Sequence, residues 1–440
     1  MQNVLVQGEN GADFMNILVI GSGGREHALC WKLRQSPAVK SLYCAPGNGG
    51  TGIDAANIDL DVTKHSEVVR FCEEKKVNLV VVGPEAPLAA GITDDLEKAG
   101  IRVFGPSRAA SRLESSKIFA KELMARYDIP TARFRIFEDL KKAREYMLSA
   151  DLPLVVKAYG LAAGKGVFIA ETAEKAVGAA EAMLIRKEFG AAGEKIIVEE
   201  YLTGEEVSLI VVTDGRSIIP LAASQDHKRA HDGDTGPNTG GMGAYSPVPF
   251  FDEKLFNVVM HSVVKPTIEG LRKEGIVYKG VLYAGLMLTA SGPKVLEYNV
   301  RFGDPETQVI LPRLKSDLAE LLMKTAEGDL SGIRPEWDAA EHVCVVLASG
   351  GYPGQYEKGK RITGCDKARE EGALVFHAGT RADGGELFTS GGRVLNVVGR
   401  GKGITEAVEN TYKAVRKIHF DGMQYREDIA RKKIGKRAGI

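Results

Sequence analysis

The first hundred residues consist of short apolar runs, each followed by a glycine turn and a helical pattern. From Met15, NILVIGSGGREHALCWKL predicts a buried strand, a turn and a helix. VNLVVVGPEAPL (77–88) predicts a second strand that ends in a Gly-Pro turn, and a helix is expected over 91–99. IRVFGPS (101–107) predicts a third strand. Strands that alternate with helices predict a doubly wound parallel sheet over residues 15–117.

The next two hundred residues mix short strands and helices in an α+β pattern, which predicts a second domain over 118–335. LESSKIFAKELMARYDIP predicts one helix over 113–130, because apolar residues recur at helical spacing until Asp-Ile-Pro. Further helices are expected over 172–189, 253–274 and 316–327. Short β-branched runs such as PLVVKA, GVFIAE and KIIVEEYL predict strands between them.

A third, mostly β domain is expected over 336–440, starting at EHVCVVLASGGYPG and including a helix near 404–417. No low-complexity linker separates the three segments, so the domains should pack against one another. Residues 1–14 lack a basic segment followed by a long apolar segment, and a regular strand pattern starts only at Met15. We therefore expect residues 1–14 to be an extension outside the fold, and not a signal peptide.

Composition narrows the class of function. The 440 residues carry 58 basic and 58 acidic side chains, which argues against a nucleic-acid-binding protein with a basic face. No run of 18 apolar residues occurs, so no membrane span is expected. The five cysteines are scattered without a C-x-x-C pair, which favours a cytoplasmic protein with reduced thiols.

The first glycine loop, GSGGREHA (21–28), opens a helix where a dinucleotide fingerprint would lie. The third glycine of that fingerprint is replaced by Glu26, which argues against a nicotinamide oxidoreductase. Amides at a helix N-terminus still favour an anion, so Gly23, Gly24 and Arg25 are candidate substrate-binding residues. The alternative is a tight turn that binds nothing.

A second glycine loop lies in VVKAYGLAAGKGVF (155–168). It is not a P-loop, because only three residues separate Gly160 from Gly164 and Gly166 stands where the hydroxyl residue should be. The loop joins two strands, which predicts a hairpin flap whose amides at Gly164, Lys165 and Gly166 close over phosphates. Lys157, near the end of a strand, should meet an anion there.

The strand KVLEYNVRFGDPE places unlike polar residues at alternate positions. Alternation puts Val295, Glu297, Asn299 and Arg301 on one face, and the intervening Leu296, Tyr298 and Val300 in the core. Carboxylate and amide oxygens suit Mg²⁺, so Glu297 and Asn299 are the candidate metal ligands. The Arg301 guanidinium would then steady a phosphoryl group or a carboxylate. The alternative is a strand with one solvated face.

Two acidic or polar loops complete the candidate chemistry. The segment Glu199-Glu200-Tyr201-Leu202 ends a strand and could bind an adenine through its backbone, with Glu206 accepting from ribose hydroxyls. In SQDHKRAHDGDTGPNTGGMGAYSP, the residues Asp226 and Lys228 with Gly240 and Gly241 suggest contacts to a polar substrate. Solvated surface charge is the alternative for both.

Together these residues resemble the ATP-grasp superfamily and, within it, the glycinamide ribonucleotide synthetases. The matching motifs are GGREHAL, APGNGGT, VGPEAPL, GLAAGKGV, SQDHKR, TGPNTGGMGAYSP and FGDPETQ, which occur in this order between Met15 and Gln308. The resemblance implies a pre-ATP-grasp N-terminal domain and two ATP-grasp subdomains that clamp ATP, one being a mobile flap subdomain at about 135–205. It also implies that Lys117 binds ATP and that Asp304, in FGDPETQ, binds substrate.

The resemblance further implies a reaction of purine biosynthesis. ATP, glycine and 5-phosphoribosylamine would give glycinamide ribonucleotide, ADP and phosphate through glycyl phosphate, with Mg²⁺ or Mn²⁺ as the metal and Lys157 and Arg301 as catalytic residues. We expect a cytoplasmic monomer or weak dimer. Another ATP-grasp ligase or carboxylase is the alternative.

Two positions depart from the family pattern. Tyr159 replaces the usual aspartate of the flap motif, and the strand before Glu297 reads Tyr-Ala-Gly-Leu-Met (283–287) without a further metal-binding acid. We expect activity despite Tyr159, and a metal shared with water and phosphates.

Overall fold

The computed structural model of the chain describes residues 6–7, 13–161 and 166–431. It is a mixed α/β and α+β structure with an N-terminal parallel sheet, two antiparallel sheets in the middle of the chain and a C-terminal sheet. The predicted fold class is confirmed. None of the helices in the described ranges is long and apolar enough to cross a membrane.

The N-terminal sheet has the strand order β4-β3-β2-β5-β6, and all pairs along this path are parallel. Its central strand β2 is buried on both faces because helices cover both sides. The short strand β1 pairs antiparallel with the start of β2; residues 1–5 and 8–12 of the expected extension lie outside the described residues. The elements are β1 (Val6–Gln7), β2 (Asp13–Gly21), α1 (Gly24–Leu33), β3 (Val39–Pro46), β4 (Ala56–Asn57), α2 (His65–Glu74), β5 (Leu79–Val82), α3 (Glu85–Ala90), α4 (Ile92–Lys98), β6 (Arg102–Phe104) and α5 (Arg108–Ser115).

The single helix predicted over 113–130 is wrong. Two helices meet there, α5 and α6 (Lys117–Arg126), and Ser116 between them has extended backbone angles. The Ser116 hydroxyl accepts from the amide of Phe119 and so starts a new helix. The break matters for function because it places Lys117 in the first turn of α6.

The segment expected to form the flap subdomain contains a four-stranded antiparallel sheet in the order β7-β10-β8-β9, which we call the flap sheet. One face, including Val156 and Val198, packs against α7 and α8. The opposite face carries Lys157 and Glu199, which the strand register places on the same side of neighbouring strands. The elements are β7 (Phe134–Phe137), α7 (Leu140–Ser149), β8 (Leu154–Ala158), β9 (Val167–Ala170), α8 (Ala173–Leu184) and β10 (Ile196–Glu200).

The second antiparallel sheet of the middle segment has the order β12-β11-β17-β18 and carries the candidate metal ligands. The alternation predicted along β18 is wrong at its start. A bulge leaves Leu296 unpaired, since Glu297 lies opposite Gly285 and Val295 opposite Leu286. Val295 therefore lies in the core with Tyr298, and Leu296 is only partly buried. The elements are β11 (Glu205–Thr213), β12 (Ile218–Pro220), β17 (Gly280–Thr289) and β18 (Gly292–Asn299).

The glycine-rich segment between β12 and β17 is more ordered than the predicted loop over 232–243. It forms a small hairpin, and its flanking strands extend the C-terminal sheet. The order of this sheet is β13 (Gln225–Asp226), β16 (Gly243–Ser246), β19 (Glu341–Ser349), β24 (Arg393–Gly401) and β21 (Leu374–His377). The predicted helix over 253–274 is present, with a π-helical turn over Met260–Val264. The elements are β13 (Gln225–Asp226), β14 (Arg229–His231), β15 (Thr235–Asn238), β16 (Gly243–Ser246), α9 (Glu253–Val259), α10 (Lys265–Lys273), α11 (Glu306–Ile310) and α12 (Leu318–Glu327).

The C-terminal segment completes this sheet and packs helix α14 against it. The predicted late helix is confirmed. The elements are β19 (Glu341–Ser349), β20 (Arg361–Ile362), α13 (Cys365–Glu370), β21 (Leu374–His377), β22 (Thr380–Asp383), β23 (Glu386–Thr389), β24 (Arg393–Gly401), α14 (Ile404–Val415) and β25 (Met423–Gln424).

Candidate active site

Two buried lysines share one carboxylate on the cleft face of the flap sheet. Lys157 Nζ lies 2.9 Å from Glu199 Oε2, and Lys121 Nζ lies 3.1 Å from Glu199 Oε1. All three side chains are at most 8% exposed. Burial lowers the pKa of Lys121 to about 8, although the attraction of Glu199 opposes this. One negative charge for two cations leaves positive charge to attract an anion.

Lys157 also reaches across to the second sheet, where its Nζ donates to the carbonyl of Leu296 at 3.2 Å. This is the residue that the β18 bulge leaves unpaired. The bulge therefore frees a carbonyl that holds the lysine beside the candidate metal strand.

Glu297 lies among cations. Its carboxylate is 3.6 Å from Lys228 Nζ. Burial would raise the pKa of Glu297, but Lys228, Lys157 and Lys117 outweigh burial and leave the pKa below its ordinary value. Asn299 follows two residues later on the same strand, opposite Tyr283. One strand thus presents a carboxylate and an amide close to Lys228, Lys157 and Lys117.

Lys117 connects helix α6 to the flap loop. Its Nζ donates to the carbonyl of Gly160 at 2.8 Å, and its backbone amide donates to the carbonyl of Tyr159 at 2.8 Å. Burial lowers the pKa of Lys117, against the attraction of Glu297. The candidate flap residues Gly164 and Lys165 lie outside the described residues. Gly166 accepts from the amide of Ala158 at 2.9 Å.

The residues at the end of β10 and directly after it differ in their surroundings. Glu200 binds Arg133 Nε at 2.7 Å and Lys294 Nζ at 2.9 Å. Burial would raise the pKa of Glu200, but these hydrogen bonds lower it to about 2. Tyr201 is 41% exposed and Leu202 is buried.

Lys228 joins the two acidic groups predicted from the sequence. Its Nζ lies 3.3 Å from Glu206 and also faces Glu297 and Asp226. Burial raises the pKa of Asp226 to about 8; Lys228 opposes this shift, whereas Glu306 adds to it. The cluster places a lysine between the candidate ribose-binding and metal-binding carboxylates.

Arg301 is held by the N-terminal domain. Its Nη2 lies 2.9 Å from Glu114 Oε1, and its Nε donates to Glu85 at 3.3 Å. Burial would lower the pKa of Arg301, but Glu114 and Glu85 raise it well above its ordinary value. The guanidinium is thus fixed and permanently charged just beyond the end of β18.

The first glycine loop does not present Arg25 to solvent. The Arg25 guanidinium is buried, pairs with Glu26 and donates from Nη1 to the carbonyl of Phe302 at 3.0 Å. Glu26 also accepts from the amide of Gly23, and it fills the space over Gly21. Glu26 occupies the place of the third fingerprint glycine, so the loop departs from the dinucleotide-binding pattern. Gly24 faces Asn396 so closely that a Cβ would overlap it.

A cavity of about 410 Å³ lies where this loop meets the C-terminal domain. Arg393 Nη1 donates to the carbonyls of Gly240 and Asp304, both at 2.6 Å. Burial would raise the pKa of Asp304, but Arg393 lowers it. Gly241 packs against Pro305. The residues lining the cavity are Ser22, Gly23, Pro46, Gly47, Asn48, Asp304, Tyr352, Ala378, Gly379, Thr380, Ser390, Gly391 and Arg393.

Several of these residues were missed by the sequence analysis. Lys121 could have been found, because it follows Lys117 by one helical turn and shares its face. Glu85, Glu114 and Arg393 carry no local pattern, because each reaches the site from a different element. Their roles depend on contacts between distant segments.

Two four-stranded antiparallel sheets meet where Lys157 of one contacts Leu296 of the other, and buried lysines lie there beside a Glu-x-Asn strand. This arrangement defines an ATP-grasp protein. Comparison with known families agrees: residues 15–114, 115–307 and 342–432 match the N, ATP-grasp (A) and C domains of phosphoribosylglycinamide synthetase. The chain belongs to the phosphoribosylglycinamide synthetase family.

Relatives support this family along nearly the whole chain. The phosphoribosylamine–glycine ligase of Rhodopirellula baltica is 51% identical over 425 residues, covering 95% of this chain and 97% of that protein. A trifunctional purine biosynthetic protein adenosine-3 of Gallus gallus is 53% identical over 417 residues, covering 94% of this chain and 42% of that protein.

Solved structures agree in fold. The crystal structure of phosphoribosylamine–glycine ligase from Thermotoga maritima has a TM-score of 0.80 at 35% identity and covers 94% of this chain and 100% of that one. A biotin carboxylase from Campylobacter jejuni has a TM-score of 0.71 at 14% identity, covering 94% of each chain, which shows a shared fold only.

Proposed function

We propose that this protein joins glycine to 5-phosphoribosylamine at the expense of ATP, giving glycinamide ribonucleotide, ADP and phosphate in purine biosynthesis. One observation carries the proposal. The stretch that follows β18 connects a cation-rich cleft, at Arg301, to a separate 410 Å³ cavity, at Asp304. Two adjoining sites suit a reaction in which an activated acid formed in one is captured by an amine bound in the other.

The cleft is the proposed ATP site. Lys117 and Lys157 would neutralise the phosphates, together with the flap amides at 164–166. The backbone over 199–202 would bind the adenine and Glu206 the ribose hydroxyls. The excess of buried positive charge around Glu199 supports this assignment, because unpaired buried cations are costly without an anion.

Glu297 and Asn299 are the proposed metal ligands, for Mg²⁺ or Mn²⁺. Within the described residues, no group of three or more His, Cys, Asp or Glu side chains could hold a metal. Two oxygen ligands on one strand fit a hard cation whose remaining ligands are phosphate oxygens and water. When bound, the metal would neutralise charge that develops on the transferred phosphoryl group.

The glycine carboxylate would attack the γ-phosphate of ATP, releasing ADP and forming glycyl phosphate. The substrate amine would then attack the acyl carbon, form the amide bond and release phosphate. Arg301 would orient the carboxylate, and Asp226 and Lys228 would contact the polar groups of the substrates. Closure of the flap would exclude water, which protects the acyl phosphate from hydrolysis.

The second cavity is the proposed sugar-phosphate site. Gly23 and Asp304 line it, and Gly240 and Gly241 contact its wall through Arg393. Gly24 and Arg25 act here as packing residues in our proposal, because both are buried. We further propose that the enzyme works in the cytoplasm as a monomer or weak dimer; the five cysteines are free and buried.

Substrate-dependent release of ADP tests the proposal. ADP release should require both glycine and 5-phosphoribosylamine, and replacing glycine with bicarbonate should give no turnover. A rate of ADP release that does not depend on glycine would contradict the proposal. Turnover with bicarbonate instead would favour a carboxylase, which is the activity of several proteins that share this fold only.

A further inference from the structure

The proposed sugar-phosphate cavity needs a cation that its assigned residues do not supply. A phosphomonoester carries up to two negative charges at neutral pH, and proteins bind it with arginine, lysine and backbone amides. The sequence offered Arg25 for this role. Its guanidinium is buried, pairs with Glu26 and donates to Phe302, so it cannot reach the ligand.

Arg393 is the one cationic residue among the described residues that line the cavity. All of its side-chain hydrogen bonds in the described part of the chain leave from Nη1, which donates to the carbonyls of Gly240, Gly241 and Asp304. These bonds fix the plane of the guanidinium. Nε and Nη2 have no protein partner within the described ranges, so one edge of the guanidinium is available.

Arg393 lies flat against Gly240. A Cβ at this position would lie 3.1 Å from Arg393 Cζ and 3.2 Å from Nη2, tighter than an ordinary contact. A glycine at 240 therefore leaves room for the guanidinium to lie flat at the cavity wall. Bidentate recognition of phosphate requires a fixed planar fork of this kind.

Further donors lie at the same wall. The hydroxyl of Ser390 has no hydrogen-bond partner among the described residues, and Thr380 contributes a second hydroxyl to the lining. Asp304 carries the negative charge of the cavity and meets Nη1 at 3.4 Å. The anion is therefore expected toward Ser390, and the sugar hydroxyls and amine toward Asp304.

We propose that Arg393 binds the phosphate of the sugar-phosphate substrate through Nε and Nη2, with Ser390 as an additional donor. This assignment rests on the proposed function, and it gives the C-terminal domain a direct part in substrate recognition. Arg393 is thus a substrate-binding residue that also holds the glycine-rich segment in place.

Binding of stable analogues, followed by calorimetry, separates recognition of phosphate from a structural role. Ribose 5-phosphate and ribose differ only in the phosphate. The intact protein should bind ribose 5-phosphate at least about 10-fold more tightly, and Arg393→Met should reduce this ratio to near one. A purely structural role would weaken both ligands equally and leave the ratio unchanged, which would overturn the assignment.

Two further variants make the test independent of folding. Ser390→Asp keeps Arg393 and its contacts but adds a negative charge, so it should also abolish the preference for phosphate. Arg400→Met is the matched control: Arg400 is exposed at the far end of the same strand β24, and the ratio should stay at the value of the intact protein. An unchanged ratio in Ser390→Asp would contradict the proposal.

Turnover distinguishes failure of this assignment from failure of the proposed function. Arg393→Met should raise the KM for 5-phosphoribosylamine by about 10- to 100-fold and leave the KM for ATP within about 2-fold. If the intact protein shows no glycine-dependent ADP release, the proposed function fails, and the calorimetry still decides the phosphate site. If the intact protein turns over and the KM values of Arg393→Met rise equally, the phosphate assignment alone fails.

Discussion

At the scale of single residues, the local charge in the cleft arises because single charged side chains are shared by two partners of opposite charge. Glu199 forms ion pairs with both Lys121 and Lys157, and Lys228 forms ion pairs with Glu206 and Glu297. Such clusters are costly to bury unless every charge finds a partner. The positive excess at Glu199 is therefore a feature that a polyphosphate would relieve.

The first residue-scale prediction concerns Glu297. Replacing Glu297 with alanine should reduce metal-dependent turnover by at least about 100-fold, because the remaining amide ligand is weak for a hard cation. The fold should be unaffected, since this side chain is 38% exposed. Steady-state kinetics over a metal titration and circular dichroism check both points. Glu320→Ala, on the exposed face of α12, is the control, and unchanged turnover in Glu297→Ala would rule out the metal role.

A second residue-scale prediction concerns Tyr159, the position at which the loop sequence departs from the family pattern it resembles. The contacts of Tyr159 to Lys117 and Lys195 use its backbone, and any residue can supply these. Tyr159→Asp and Tyr159→Ala should therefore keep kcat within about 3-fold of the parent. A loss of 100-fold in Tyr159→Ala, measured as ADP release, would show that the phenol itself has a role.

At the scale of elements, two irregularities position the site. The bulge at Leu296 turns a carbonyl toward Lys157, which links the flap sheet to β18, the strand of the candidate metal ligands. The hairpin formed by β14 and β15 has Lys228 at its base and Asp234 at its tip. The fully buried Arg426 guanidinium forms ion pairs with Asp234, at this tip, at 2.8 Å and with Asp428 at 2.7 Å.

Arg426 should therefore stabilise the hairpin as a unit. Arg426→Met leaves two carboxylates without their partner, and we expect the free energy of unfolding to fall by about 2 to 3 kcal/mol. Chemical denaturation measures this loss, and amide exchange should become faster over 229–238. Arg416→Met, at an exposed position directly after α14, is the matched control and should unfold like the parent. Equal free energies of unfolding for the two variants would show that the ion pairs of Arg426 do not stabilise the protein.

At the scale of the whole molecule, segments far apart in sequence share one sheet and one cavity. Strands β13 and β16 of the middle segment pair into the C-terminal sheet. Asn48 of the N-terminal domain donates to the carbonyl of His377 at 2.8 Å. Cavity walls built from three domains are rigid only while the domains stay packed, so stability and substrate binding should be coupled.

Acid should weaken this packing through buried histidines. Burial lowers the pKa of His342 to about 4 from an unfolded value near 6.5. The unfolded state therefore takes up the proton first, and stability is complete above pH 6.5 and lost as the pH falls toward 4. Between pH 7 and pH 5, the free energy of unfolding of His342→Gln should fall by about 2 kcal/mol less than that of the parent. Equal losses in urea titrations at the two pH values would contradict this shift.

Local sequence patterns were sufficient to predict the fold class, the strand that carries Lys157, the loop between two strands and the placement of Glu297 and Asn299 on one strand. Each depends on a local period or on spacing within one element, which a linear pattern records. The N-terminal β-α alternation and the late helix were predicted for the same reason. The site roles of these residues remain predictions.

The pairing of charged side chains, in contrast, depends on how distant segments fold together. Lys121 and Glu199, Arg301 and Glu114, and Arg393 and Asp304 are each separated by tens of residues or more and share no local pattern. Arg25 is the converse case, because a favourable motif led to a buried side chain whose partners are Glu26 and a distant carbonyl. Local periodicity selects elements and faces, whereas pairing between faces depends on how the elements pack.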